Sequence, residues 1–595
     1  VDVSLTGKIA LNAEELKSVS SGASLAGVLS LALVTLVLFF GTRSVRAVIA
    51  MVINLLVGLI MTGAAALLLF GALNIISVAF AVLFIGLGID FAIHLMLRAR
   101  EEASERGLAP ALVHAAGTSG LALALCAPTT ALAFLSFTPT DYAGLSQLGV
   151  IAAIGVFVAL LSSVTLLPAL LILLCVPAGR GSTPRAGQNR FGHKAIVIGT
   201  ALLLVPAAYL ATQMRFSADP IALKDPTAPS VQVYQRLLAQ EGFSPHVIHV
   251  LAQTPKGAAA LAAKAEALAA TGRVVWDGSF VPKEQPDKLE LIEETNFLLA
   301  SDLVSQAAIA PVDIPSAQRA MARLAKVAPS IVFDMFLKRA KAEPGLWDTL
   351  AQALLSSSLD LRETLTAQLK TQGVSADDVP DALRQRYRGT DGSFRVEIFP
   401  KETIGDEKAL ARYVEAVTSV FPNATGSPVQ IVRSGEIVEG AMIQAVLTAF
   451  ALVSVFLLVM LRSFKQVVFV LTPVVIAGVV TMAAAVLLGL SFNFANVIVL
   501  PLLLGLGVDA GIHYVRRAFE GSDAEVSETG STGRAVLLSA LTTIGSFGTL
   551  MVSRHAGTAS MGQLLTLALI CLMVATLVVL PALLRWRVKT RGAGA

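Results

Sequence analysis

Charge, cysteine and polar aromatics are scarce in this chain. Of 595 residues only 14% are charged, and there are 3 Cys, 3 Trp and 6 Tyr. A soluble protein carries about 25% charged residues. That deficit, with 55% apolar residues, excludes an ordinary soluble enzyme. Cys126, Cys175 and Cys571 lie singly in apolar stretches, which excludes a disulfide framework or a thiolate metal site. No G-x-x-x-x-G-K-[ST] phosphate loop occurs, so ATP is not an expected partner. A net charge of +4 gives no footprint for nucleic acid. The chain also opens without Met and without a charged-then-apolar export signal.

The charge that is present is concentrated. Between Met214 and Arg433 stand 24 Lys/Arg and 26 Asp/Glu, 50 of the 86 charged residues. A bilayer-spanning helix needs about 20 mainly apolar residues. Eleven stretches fit: 24–40, 47–70, 77–97, 120–137, 148–176, 195–211, 440–461, 467–490, 494–515, 535–552 and 560–584. The connections at 41–46, 98–117, 178–194, 462–466 and 516–534, with the tail from 585, hold 18 Lys/Arg. The short loops around Asn74, Asp141, Asn493 and Arg554 hold one. By the positive-inside rule the basic set is cytoplasmic and the charged segment lies outside, on the periplasmic or equivalent face.

The expected fold is therefore a polytopic α-helical membrane protein with an α/β periplasmic domain. Strands are expected at His246–Thr254, Arg273–Phe280, Ser393–Pro400 and near Ser427–Val432. Helices are expected at about 257–271 and at Ser316–Ala328, Ile331–Ala340, Leu346–Leu369 and Asp406–Val420. Two β-α-β units flanking a helical insertion resemble split ferredoxin-like subdomains. The apolar stripe Ile331, Val332, Phe333, Met335 and Phe336 is expected to pack inside the domain.

The chain repeats itself. Gly86-Leu-Gly-Ile-Asp90-Phe-Ala-Ile-His94 recurs as Gly505-Leu-Gly-Val-Asp509-Ala-Gly-Ile-His513, an offset of 419. The same offset pairs Arg43-Ser44 with Arg462-Ser463 and Thr6-Gly7 with Thr425-Gly426. An offset of 413 then pairs Thr129-Thr130 with Thr542-Thr543 and Leu167-Pro-Ala-Leu-Leu171 with Leu580-Pro-Ala-Leu-Leu584. Such a parallel repeat relates two halves about an axis along the membrane normal. It implies a twelfth span and a first outer domain ahead of Val1. The segments are then 1–20, the end of that domain; 21–176, five spans; 177–194, a linker; 195–212, the seventh span of twelve; 213–435, the second outer domain; 436–584, five spans; and 585–595, a tail.

Asp90 and Asp509 stand at matched depth in apolar helices. A carboxylate there costs at least ~2.5–3.5 kcal/mol on insertion scales and marks an ion or proton path. Gly86, Gly88, Gly505 and Gly507 let another helix approach beside each Asp. Thr129 and Thr542, with Thr130 and Thr543 beside them, offer hydroxyls as relay partners, or bond back to their own helices. His94 and His513 follow each Asp on the same helix face; they pass protons or simply pack. Pro128, Pro473 and Pro501 are expected to kink their spans.

The doubled G-L-G-[IV]-D-x-x-I-H motif, the five-plus-six spans and the outer α/β domain resemble the resistance-nodulation-division (RND) superfamily. The likeness covers essentially the whole chain, and is greatest to the lipid-exporting, MMPL-like branch and its hopanoid-associated members. The resemblance implies proton-driven transport of an apolar lipid toward the outer membrane, a lipid-embedded homo-oligomer (dimer or trimer), and no cofactor beyond protons. It assigns the proton relay to Asp90, Asp509, Thr129 and Thr542. Drug-efflux members carry two adjacent acids on the fourth span and a Lys on the tenth. Here Asp90 is followed by Phe91 and the tenth span has no Lys. Phe91 and Ala510 also occupy the Tyr places of mycolate exporters, so the expected relay is Asp–Thr across the halves. A sterol-sensing receptor and a protein-export accessory share this architecture. An intramembrane aspartyl protease would need two different motifs, whereas here one motif is duplicated.

Overall fold

The computed structural model describes residues 3–74, 80–177, 192–240, 244–304, 313–327, 331–343, 345–375, 377–519 and 531–592. The basic linker at 178–191 and the loop at 520–530 lie outside them. Among the described residues ten helices are long and apolar enough to cross a membrane, and eleven if the bent pair Leu108–Gly117 and Gly120–Leu135 is one span. This is a membrane protein. The 54° bend of that pair falls at its glycines, ahead of Pro128.

The chain packs as two compact units, one made of Val1–Ile248, Glu402–Val420 and Thr425–Ala595, the other of His249–Lys401 and Phe421–Ala424. The first unit is the helical bundle. Its first half holds α1 (Lys8–Thr42), α2 (Val45–Phe70), α3 (Phe80–Arg106), α4 (Leu108–Leu135) and α5 (Ala143–Leu173). After α6 (His193–Ala211) come β1 (Phe216–Ser217) and α7 (Pro229–Leu238).

The second unit follows from the sequence pattern. Strand β2 (Ile248–Ala252) leads through α8 (Pro255–Glu266) to β3 (Thr271–Val275), a helical insertion comes next, and β4 (Phe394–Pro400) completes a sheet in the order β2-β4-β3. Strands β3 and β4 are antiparallel, with Val274 opposite Ile398. Ala258, Ala262 and Ala265 are all buried. Their i, i+4, i+7 spacing makes the face of α8 that packs on β3 and β4. The insertion holds α9 (Gln285–Val304), α10 (Ile314–Val327), α11 (Ile331–Ala342), α12 (Leu346–Leu369) and α13 (Asp381–Tyr387). Of the expected apolar stripe, Phe336 meets Trp347 edge-to-face at 5.0 Å, whereas Met335 is 66% exposed. The side chains of Ile331, Val332 and Phe333 lie outside the described residues.

Chain elements then return to the first unit with α14 (Glu407–Val420) and the second half: α15 (Ser427–Leu461), α16 (Phe464–Leu487), β5 (Phe492–Asn493), α17 (Val499–Phe519), α18 (Ser531–Gly548), α19 (Ala556–Val574) and α20 (Leu580–Gly592). The expected strand near Ser427–Val432 is instead the opening of α15. Its alternation is only local, while Pro428 in the first turn after Gly426 is a helix-start signal. The second of the two expected β-α-β units therefore does not form. Of residues 1–20, those from Lys8 onward form the opening turns of α1.

The two halves fold alike in detail. Helices α1 and α15 are each 35 residues long, follow a glycine at positive φ, and end on a left-handed arginine, Arg43 (φ 51°) and Arg462 (φ 50°). Ser44 and Ser463 cap the next helices in the same way. Asn74 donates to Gln147, and its repeat mate Asn493 donates to Ser560, the mate of Gln147, at 2.9 Å. The halves are also interlocked. Helix α4 packs on α17, and α18 packs on α3, so each Asp-bearing helix is lined by a helix of the other half. Of the ten unbroken membrane-length helices, α3 and α17 are the most enclosed.

Candidate functional site

The close approach that interlocks the halves is made at glycine. A methyl group on Gly86 would stand 3.2 Å from Ser546 Cβ of α18, and one on Gly505 would stand 3.2 Å from Ala133 Cβ of α4. Gly88 and Gly507 face elsewhere, toward Leu55 of α2 and toward Val474 and Leu572 of α16 and α19. One glycine of each motif thus admits the opposite half, and the other seats its own.

One turn along from Gly86 and Gly505, the carboxylates meet hydroxyls across that contact. Asp509 Oδ2 accepts from Thr130 Oγ1 at 2.9 Å and Oδ1 accepts from Thr129 Oγ1 at 3.2 Å. Thr129 also lies 2.7 Å from Cys126 O, so its one proton is shared between the helix carbonyl and the carboxylate. Asp90 Oδ1 accepts from Ser539 Oγ at 2.7 Å. Thr542, the repeat mate of Thr129, points its hydroxyl at Leu538 O and Ser539 O of its own helix, at 3.1 and 2.7 Å. Thr543 bonds Gly86 O at 3.2 Å and Ser539 O at 2.9 Å. The cross-half pairing of Asp509 thus uses the expected threonines, while that of Asp90 uses a residue not expected, Ser539. The signal for it was present: under the 413 offset Ser539 is the mate of Cys126, one turn before each threonine pair. Cys126 Sγ itself stands 3.9 Å from Asp509 O and from His513 Nε2.

Both carboxylates open onto one cavity of about 60 Å³, lined also by Phe91, His94, Cys126, Ala510, His513, Ser539, Thr543 and Thr576, with Leu and Met side chains closing it. That is room for a few water molecules at about 10–15 Å³ each. Thr576 belongs to a π-helical turn, Ala575–Val579, between α19 and α20. Such turns re-aim side chains and gather at functional sites. The equivalent stretch of the first half is continuous α-helix within α5. Among the described residues no group of three or more His, Cys, Asp and Glu could hold a metal ion.

The chain that carries this carboxylate pair has matches among known proteins. The model of the MMPL family matches residues 1–196 and 401–589. The chain belongs to the MMPL family. Two curated relatives, the hopanoid transporters HpnN of Rhodopseudomonas palustris and of Burkholderia multivorans, are each 36% identical over 98% of this chain and 69% of their own length. A putative membrane protein of Methanocaldococcus jannaschii is 30% identical over 35% of this chain and 58% of its own. Among solved structures, the translocon-associated membrane protein SecDF of Thermus thermophilus has the same fold, with a TM-score of 0.54 at 13% identity over 97% of this chain. The chain spans 63% of that SecDF chain. In this MMPL member, then, residues of both repeats line the cavity.

Proposed function

We propose that this MMPL protein is a proton-motive-force-driven transporter that moves an apolar lipid, of the hopanoid class, from the inner membrane toward the outer membrane and so remodels the envelope. The carrying observation is that each intramembrane carboxylate bonds a hydroxyl of the opposite half. A charged carboxylate accepts strongly from O–H donors. Once protonated it is neutral and has a proton of its own to donate. Loading Asp90 or Asp509 therefore rewrites a bond between the halves, which is what coupling a proton to a movement requires. Each proton crossing the full potential supplies ~2.3 kcal/mol per 100 mV.

The lipid class rests on the names of the two HpnN relatives. The orientation, with the 249–401 unit in the periplasm, rests on the 18 Lys/Arg of the opposite loops. We assign no catalytic residue and no cofactor besides protons, and expect a homo-oligomer of two or three copies.

The deciding experiment combines lipid identification with proton coupling. Mass spectrometry of the purified protein should find a polycyclic triterpenoid enriched over bulk phospholipid. Vesicles reconstituted with the Asp90→Asn/Asp509→Asn protein should move that lipid no faster than protein-free vesicles when a proton gradient is applied. Lipid transfer at the wild-type rate in the double variant would refute proton coupling and favour a receptor or accessory role.

A further inference from the structure

His94 and His513 are where the duplicated motif meets itself. Each follows its Asp by four residues, about 6 Å along the helix at ~1.5 Å per residue. Their imidazole rings stack face to face, 4.2 Å between centroids and 5° from parallel. Because the two positions are equivalent under the repeat, the pair straddles the axis that relates the halves. Both rings line the cavity that holds Asp90 and Asp509. They lie on the side of the carboxylates toward the basic end of the bundle, where Arg100 of α3 donates to Thr42 O of α1 at 2.7 Å.

Among the described residues that line the cavity beside the pair, few are titratable. Helix α3 contributes Asp90, α17 contributes Asp509, and α4 contributes Cys126, 3.9 Å from His513 Nε2. Helices α18 and α19 line the cavity with hydroxyl and apolar side chains and no titratable one, and α1, α2, α5, α15 and α16 contribute none of its lining. Arg516 is the next cation along α17.

Two positive charges 4.2 Å apart repel. At an effective dielectric constant of about 20, the second proton binds roughly a thousandfold more weakly than the first. A neutral imidazole accepts a proton on one nitrogen and releases one from the other. The geometry points to a single-proton port: we propose that the stacked pair admits protons one at a time from the basic end of the bundle and passes each to Asp90 or Asp509, so that the two halves load in alternation. Each transfer places one proton on one ring nitrogen and removes one from the pair toward a carboxylate, directly or through water in the cavity. The pair returns to its starting charge, and no other reactant is required. This rests on the proton-driven reading above.

The test is proton entry into vesicles that hold the protein and a trapped pH-sensitive dye, followed after an external acid pulse across about pH 5–8, the range where histidine ordinarily titrates. The His94→Gln/His513→Gln protein is expected to admit protons at least tenfold more slowly than wild type, with the dependence of rate on pH flattened. The His94→Phe/His513→Phe protein keeps two stackable rings without a titratable nitrogen. It should show the same loss, whereas rescue by Phe, with the wild-type pH profile, would mean that the pair only packs and would overturn the port. Flux that responds to Asp90→Asn/Asp509→Asn but to neither histidine variant overturns the port and leaves the proton-driven reading standing. Flux indifferent to all of these substitutions overturns both. Proton counting by NMR of nitrogen-labelled histidine should find one proton taken up per pair, and two independent uptakes would overturn the alternation.

Discussion

The Asp90 and Asp509 half-sites descend from one motif yet are wired differently. Around Asp509 the hydroxyls of α4 gather on the carboxylate itself, with Thr129 and Thr130 both in reach. The mate of Ser546 in that helix is Ala133, so the polar contacts end within a turn. Around Asp90, Ser539 alone among the described residues reaches the carboxylate. Thr543 bonds Gly86 O at 3.2 Å just as its mate Thr130 bonds Gly505 O at 3.3 Å, but α18 continues the seam with Ser546 to Val82 O at 2.9 Å and to Ser30 Oγ at 2.7 Å, and Thr549 to Ala26 O at 3.1 Å. Protonating Asp509 would disturb both of its hydroxyl contacts and leave the Thr130 bond to Gly505 O, whereas protonating Asp90 would leave a longer seam of backbone-directed bonds in place. A repeat that conserves the carboxylate can thus still give the two halves different stiffness.

Substitutions can break or sharpen that contrast. The largest effect is expected where the halves are the same. A methyl group on Gly149 would stand 2.4 Å from Phe134 O, and one on its mate Gly562 would stand 2.8 Å from Met551 N. Backbone cannot swing aside as a side chain can, so Gly149→Ala and Gly562→Ala should each cost at least about 1–3 kcal/mol by overpacking. In detergent, thermal unfolding should fall by several degrees for both. A loss in only one half would mean that the bundle tolerates strain asymmetrically.

Next in size is Ser539→Ala, which removes the hydroxyl bonded to Asp90. Bonds to charged groups are worth about 1.5–3 kcal/mol, and proton-coupled transport should fall roughly tenfold or more. Thr130→Val should cost less, a few-fold, because Thr129 remains beside Asp509. Equal losses in the two variants would erase the proposed difference between the half-sites. Smallest of all is Thr542→Val. Among the described residues its hydroxyl bonds carbonyls of its own helix alone, a contact that contributes little. Stability and transport should stay close to wild type, within about 0.5 kcal/mol, and a large loss would return Thr542 to the relay.

Apolar runs of sufficient length marked the spans, because a bilayer leaves a helix little alternative. The two offsets identified the halves, and the rarity of charge singled out Asp90 and Asp509. Helix Leu346–Leu369 was legible to its ends, because its pattern is long and its start follows Pro344-Gly345. The segment at Ser427 misled: six residues of alternating pattern read as a strand, and only in the folded chain do they continue into a 35-residue helix.

What the sequence by itself determined is the list of parts: the spans, the duplication, the paired acids and the hydroxyls near them. Tertiary structure alone decided that Ser539 rather than Thr542 reaches Asp90, that each Asp faces the opposite half, and that His94 and His513 stack. The reason is geometric. Hydrophobicity and repeat spacing set which helices form and in what order, and they tolerate a rotation of tens of degrees about a helix axis. A hydrogen bond tolerates a few tenths of an ångström, so its partner is chosen only when the helices have locked together.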